Sequence, residues 1–150
     1  MKIFKKIVLA LLVVLVGIQF IPTTRNQSNK VSEVAFTKTF NVPDNIQNLL
    51  KTSCYDCHSN NTIYPWYNKM QPISWFLEHH IKEAKAELNF SEFGAYSKRK
   101  QKSKLKRMIS EVRENKMPLS SYILMHKEAK LSKADKALLV NWLSDLRDGL

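Results

Sequence analysis

The stretch Cys54-Tyr55-Asp56-Cys57-His58 constrains this 150-residue chain more than any other. It contains both cysteines of the protein, with two residues between them and a histidine directly after the second. Two thiols leaving one turn of backbone beside an imidazole form the attachment signature of a c-type haem. Each thiol adds across one vinyl group of the porphyrin, and the adjoining histidine then lies under the ring as an iron ligand. Other uses of paired cysteines fit less well. A thioredoxin-like dithiol wants a βαβ setting, and no β-branched strand runs flank the motif. A zinc site wants four ligands, commonly from a second pair, and there is no second cysteine pair. A disulfide across so short a loop constrains the unfolded chain little.

Covalent haem attachment takes place outside the bacterial cytoplasm, and the N-terminus supplies a matching address. Lys2, Lys5 and Lys6 precede an apolar run from Ile7 to Ile21 that is broken only by Gly17 and Gln19. Such a run is a secretory signal or a short membrane anchor. Gln19-Phe20-Ile21-Pro22-Thr23-Thr24 offers no small-residue cleavage site, and no cysteine follows for lipid attachment. An uncleaved signal anchor over residues 1–24 is favoured over a cleaved, exported form. The lysines place the N-terminus in the cytoplasm and the remainder in the periplasm, as a single-pass inner-membrane protein.

Residues 25–42 are polar and rich in Ser, Thr and Asn, without helical period, and read as a tether. Residues 43–150 read as one small domain with only two glycines, Gly94 and Gly149. Apolar residues there recur mostly at three and four, which predicts an all-α fold. A core of this size is thin, and a buried porphyrin would add to it. The net charge of +11 does not point to nucleic acid in an exported chain, and Lys2, Lys5, Lys6 and Arg25 belong to the anchor region.

Four helices are predicted. The first runs from about Asp44 to Ser53, with Asp44 as N-cap. The second runs from about Ile73 to Leu88, with a stripe of Ile73, Leu77, Ile81, Ala84 and Leu88. The third spans about Ser97 to Glu114. Its start carries seven cations between Lys98 and Arg107 and no acid, either as a solvated face or as a surface for an acidic redox partner or anionic lipid. The fourth follows the capping box Ser132-x-x-Asp135 and bears Leu139, Trp142 and Leu143. Between the first two, Tyr64-Pro65-Trp66-Tyr67 reads as a loop against the porphyrin edge. Met117, before Pro118 in a loop, suits the sixth position of a haem iron, since Met/His ligation is the cytochrome c arrangement. An ordinary packing methionine is the alternative. His80, within the apolar stripe, is a core histidine or a haem-side residue, and His126 is a rival ligand.

The run from Cys54 to Thr62 through Tyr64-Pro65-Trp66-Tyr67 to Pro72-Ile73-Ser74-Trp75 resembles a family of small exported bacterial haem-binding domains. So do His80 to Glu83, Leu88 to Phe93, and Met117-Pro118 with Tyr122, His126, Ala129, Leu131-Ser132 and Trp142. Phe93 departs from the pattern, where tryptophan is more usual, and so does the lysine-rich stretch after Ser97. The resemblance implies a small cytochrome c-like helical domain with one covalent haem c on Cys54, Cys57 and His58. It also implies special roles for His80, Met117 and His126. The reading is a membrane-tethered monohaem cytochrome that transfers single electrons and is not an enzyme. Two alternatives are a haem sensor or peroxidase-like enzyme with an open sixth position, and a subunit whose haem only stabilises the fold.

Overall fold

Scarce glycine and three-to-four spacing leave the chain after Pro43 little choice but helix, and helix is what it forms. The computed structural model describes residues 2–28 and 30–150. Eight α-helices are found among them: α1 (Lys2–Ile18), α2 (Phe36–Thr39), α3 (Asp44–Ser53), α4 (Tyr55–His58), α5 (Ile73–Glu87), α6 (Lys98–Arg113), α7 (Ser120–Met125) and α8 (Lys133–Asp148). Short 3₁₀ turns lie at Trp66–Lys69, Phe90–Ala95 and Lys127–Ala129. The described residues contain no β-strand, only an isolated bridge between Gln27 and Asn61.

The four predicted helices are α3, α5, α6 and α8. Helix α3 is capped one residue earlier than expected, at Pro43, so Asp44 occupies the first turn and acts on the helix dipole instead. Ser97 caps α6 through its hydroxyl, which accepts from Lys100 N, and so offsets the cationic start of that helix. The capping box of α8 is complete: Asp135 N donates to Ser132 Oγ at 3.1 Å, and Ser132 N donates to Asp135 Oδ2 at 2.9 Å. Helices α6 and α8 make the most extensive helix–helix contact. Leu105, Ile109 and Val112 of α6 and Leu139, Val140 and Leu143 of α8 are buried, as are Ile46 and Leu50 of α3.

The stretch expected as a tether, residues 25–42, instead packs against the domain through Asn26, Val34 and Phe36. Phe36 on α2 is 1% exposed. Its ring meets those of Phe93, Phe40, Phe90 and Trp142 edge-on, at centroid distances of 4.9, 5.2, 5.3 and 5.9 Å. Edge-to-face pairs add to the stabilisation from burial. Gly94 donates its N–H to Val34 O at 2.8 Å, and a Cβ there would meet Thr39 Oγ1 and lie only 2.9 Å from the backbone oxygen of Val34. That approach demands glycine. Upstream, Asn26 Nδ2 donates to Ser59 O and to Thr62 Oγ1. The polar composition that suggested a solvated linker supplies these bonds. Phe93, which departs from the resemblance pattern, fills the centre of the aromatic cluster.

Helix α1 is apolar, and none of its residues is buried. Among the described residues no helix is long and apolar enough to cross a membrane. Its 17 residues reach about 25 Å, against a hydrocarbon core of about 30 Å. The apolar run was expected to continue to Ile21, but the helix ends at Ile18. There Gln19 turns its amide to Leu15 O and to the backbone of Gln71.

Candidate functional site

Cys54 ends α3, its N–H donating to Leu50 O at 2.9 Å, and its backbone (φ −131°, ψ −40°) breaks the helix. The single turn of α4 follows at once, with His58 N donating to Cys54 O at 3.0 Å. That turn presents both sulfurs and the imidazole to one space. Both thiols are free. Burial, with smaller effects of the Cys57 and Asp56 charges, pushes the Cys54 thiol up to about 12 and the Cys57 thiol up to about 11. A redox-active dithiol has its thiolate stabilised, the opposite shift.

His58 Nδ1 lies 3.0 Å from Ala84 O and 3.1 Å from Leu88 O, at the end of α5. Only a protonated Nδ1 can donate to these carbonyls, so Nε2 carries the lone pair. Burial lowers the His58 pKa, partly offset by these two bonds, and keeps the ring neutral. A neutral imidazole with one nitrogen held by a carbonyl is how proteins orient a histidine metal ligand. Nothing in the sequence pairs His58 with Ala84 and Leu88, which are brought to it by α5 packing on α4.

These groups open onto a cavity of about 390 Å³, within the range of small-molecule sites. Cys54, Cys57 and His58 form one wall, and Leu50, Leu88 and Phe90 are among the apolar residues lining it. Met117, Pro118 and Leu119 contribute from the loop before α7, and His80 from α5. Lys104, Arg107, Glu87 and Glu111 also line it, with Arg107 paired to Glu87 and lying 3.8 Å from Glu111. Sequence reasoning treated Lys104 and Arg107 only as members of a basic stretch. Their three-residue spacing on α6 was the available signal.

The expected site residues divide. Met117 and His80 line the cavity. His80 is half-buried, its Nδ1 3.0 Å from Phe76 O and its ring 4.2 Å from that of Phe76. Trp66 does not line the cavity and is 69% exposed, because the turn Trp66–Lys69 points it outward. His126 is also outside the lining. Its Nε2 is 2.9 Å from Tyr67 Oη, its Nδ1 is 3.3 Å from Glu128, and its ring stacks on Tyr122 at 4.4 Å. Both nitrogens are engaged, which sets it apart from a free ligand. Asp56, unremarked within the motif, accepts from Tyr122 Oη at 2.8 Å and from Ile63 N at 3.2 Å. It thereby ties the attachment turn to α7.

Paired thiols and an oriented imidazole on one wall of an apolar, helix-built cavity define a helical protein that holds a planar cofactor with an iron centre. The chain matches the haem-binding domain family over residues 13–145 and belongs to it. No curated protein and no solved structure matches it. Haem is therefore its cofactor, and the donor set fits: an apolar chamber, a neutral imidazole with a free lone pair, and cations at the rim. Among the described residues no cluster of three His, Cys, Asp or Glu side chains is placed to hold a bare metal ion.

Proposed function

We propose that this chain is a monohaem c-type cytochrome, tethered to the membrane through α1, that passes single electrons on the extracytoplasmic side. One observation carries the reading: Cys54, Cys57 and His58 share an apolar cavity with Met117. Cys54 and Cys57 would hold the group covalently, each S–H adding across a vinyl C=C, sulfur to one carbon and hydrogen to the other, with no net change of oxidation state. Bound haem supplies an iron that alternates between ferrous and ferric states. His58 Nε2 is the proximal donor, held by the carbonyls of Ala84 and Leu88. Met117, which lines the same cavity, would supply a thioether ligand to the iron, and Met/His ligation raises the potential. Lys104 and Arg107, which share Glu87 on the cavity lining, would be the cations available to the propionates. No side chain is assigned a catalytic role.

Two features support the tether: the exposed apolar surface of α1 and Lys2, Lys5 and Lys6 in its first turns, ahead of the apolar run, which favour a cytoplasmic N-terminus. The redox partner is a protein drawn to the cationic side of α6.

A second reading, a haem sensor or peroxidase-like enzyme, rests on His80, which stands half-exposed on the cavity lining as a candidate distal acid–base group. The test is expression with a haem-maturation system, mass spectrometry of the product, and visible spectra of wild type, Met117→Ala and His80→Ala. The cytochrome reading expects one covalent haem and a low-spin spectrum that Met117→Ala converts to high spin. A Met117→Ala protein with an unchanged low-spin spectrum removes Met117 as ligand. A high-spin wild type that takes up carbon monoxide readily favours the second reading, and an absent haem adduct sinks both.

A further inference from the structure

The segment that brings Met117 to the cavity has little packing of its own. Met117, Pro118 and Leu119 line the cavity just before α7, and no residue of α7 is buried. Leu119, at its N-cap, makes no side-chain capping bond. Upstream the segment is fastened to the end of α6, where Lys116 N and Met117 N both donate to Glu111 O, at 2.9 and 3.2 Å. Downstream, two side chains one helical turn apart hold it. Tyr122 Oη donates to Asp56 Oδ2 at 2.8 Å, and His126 Nε2 lies 2.9 Å from Tyr67 Oη. The rings of Tyr122 and His126 stack at 4.4 Å, with 16° between their planes.

Asp56 is a fixed anchor for the first of these bonds. It stands between the two cysteines, and its other carboxylate oxygen accepts from Ile63 N at 3.2 Å. Its backbone oxygen accepts from Thr62 Oγ1 at 2.6 Å, and Thr62 Oγ1 accepts in turn from Asn26 Nδ2. Asp56 and Tyr122 both line the cavity. The bond between them therefore links the turn that carries Cys54, Cys57 and His58 to the segment that carries Met117. A hydrogen bond to a carboxylate is stronger than one between neutral groups. Groups behind an iron or metal ligand, which fix its direction, tune how firmly it is held.

We propose that Tyr122 is a positioning residue for Met117: its bond to Asp56, backed by the bond between His126 and Tyr67, latches the Met117 segment to the haem-attachment turn. The inference rests on the reading of Met117 as an iron ligand and adds what keeps it in place. Opening the latch frees Met117 to leave the iron and lets an outside ligand take its position.

The experiment uses the full haem-loaded chain in its ferric form, with imidazole as the competing ligand and binding followed in the visible spectrum. Tyr122→Phe keeps the ring and its stack on His126 and removes only the hydroxyl. It should bind imidazole roughly tenfold more tightly than the wild type, the effect of one lost hydrogen bond to a charged group. Met117→Ala should bind imidazole more tightly still. Adding Tyr122→Phe to Met117→Ala should then change nothing further, because a residue that acts through Met117 has no effect once Met117 is gone. His126→Phe keeps a ring for the stack, removes the bond to Tyr67 and should shift binding in the same direction by a smaller factor. It carries the test where Tyr122→Phe fails to load haem, and wild-type binding in it then overturns the latch. Wild-type imidazole binding in Tyr122→Phe, beside tighter binding in Met117→Ala, overturns the latch and leaves Met117 as ligand. Equal tightening by Tyr122→Phe in the presence and absence of Met117 shows that Tyr122 acts on the cavity directly, and overturns the positioning role. A Met117→Ala protein with unchanged spectrum and unchanged imidazole binding removes the ligand and the latch together.

Discussion

The two halves of this domain are built on different terms. The half formed by α2, α3, α6 and α8 surrounds an ordinary core, with Phe36, Leu50, Phe93, Leu105 and Leu143 all at 0–1% exposure. The half formed by α5, α7 and the intervening loops buries little of itself. Helix α7 has no buried residue, and α5 buries only Ser74 and Ile81. Ala84 and Leu119 line the cavity, while Phe76 and Leu124 face outward. The first half can be held by contacts among its own side chains. The second is fastened by hydrogen bonds, such as Tyr122 to Asp56 and His58 to Ala84, around the cavity that His58 lines. In so small a domain the cofactor is structural surface as well as chemistry.

Phe36→Ala should show the largest effect, a loss of about 3–5 kcal/mol in denaturant unfolding. It empties the centre of the aromatic cluster, and a change near zero would return residues 25–42 to the role of a linker. Withholding haem during expression should act on the other half. Hydrogen exchange should quicken by an order of magnitude or more in α7 and the cavity side of α5, while the α6–α8 pair stays protected. Uniform loss of protection would mean that the halves are one cooperative unit.

Ser132→Ala should cost about 1 kcal/mol, seen as an earlier thermal midpoint, through the lost cap of α8. The same cap carries a pH signature. Hydrogen bonds from the Ser132 hydroxyl and backbone hold the Asp135 carboxyl below its ordinary value. Its contribution is therefore complete above the ordinary aspartate pKa and fades as pH falls through the lowered folded value. The wild type and Ser132→Ala stability curves should converge in that acid window. Leu124→Ala should do least, within about 0.5 kcal/mol, because Leu124 on α7 is 74% exposed. A larger loss would show that α7 carries more of the fold than its burial suggests.

Where helices begin and end could be read from local signals, because caps and apolar spacing act within a few residues. Ser97, Ser132 and Asp135 are examples, and the turn after Leu50 carries the attachment motif whatever surrounds it. Phe36 could not be placed that way. Its partners Phe90, Phe93 and Trp142 lie more than fifty residues further along the chain, and Phe36 with Phe40 makes a single helical step, too short to carry a period. Trp66 was misjudged for the same reason: aromatic composition says a residue wants cover, not which side of a turn it occupies. His126 fell at the right spacing to face inward, but Tyr67 and Tyr122 claim it.

The motif from Cys54 to His58, the helical class and the haem were determined by the sequence alone. Each depends on residue types at short fixed spacings, and backbone geometry carries those spacings into space. Only the tertiary structure decided that Ala84 and Leu88 orient His58, that Met117 and His80 share its cavity while His126 does not, and that residues 25–42 complete the core. Those outcomes depend on which distant surfaces pack together, and packing is set by the shape of the whole chain.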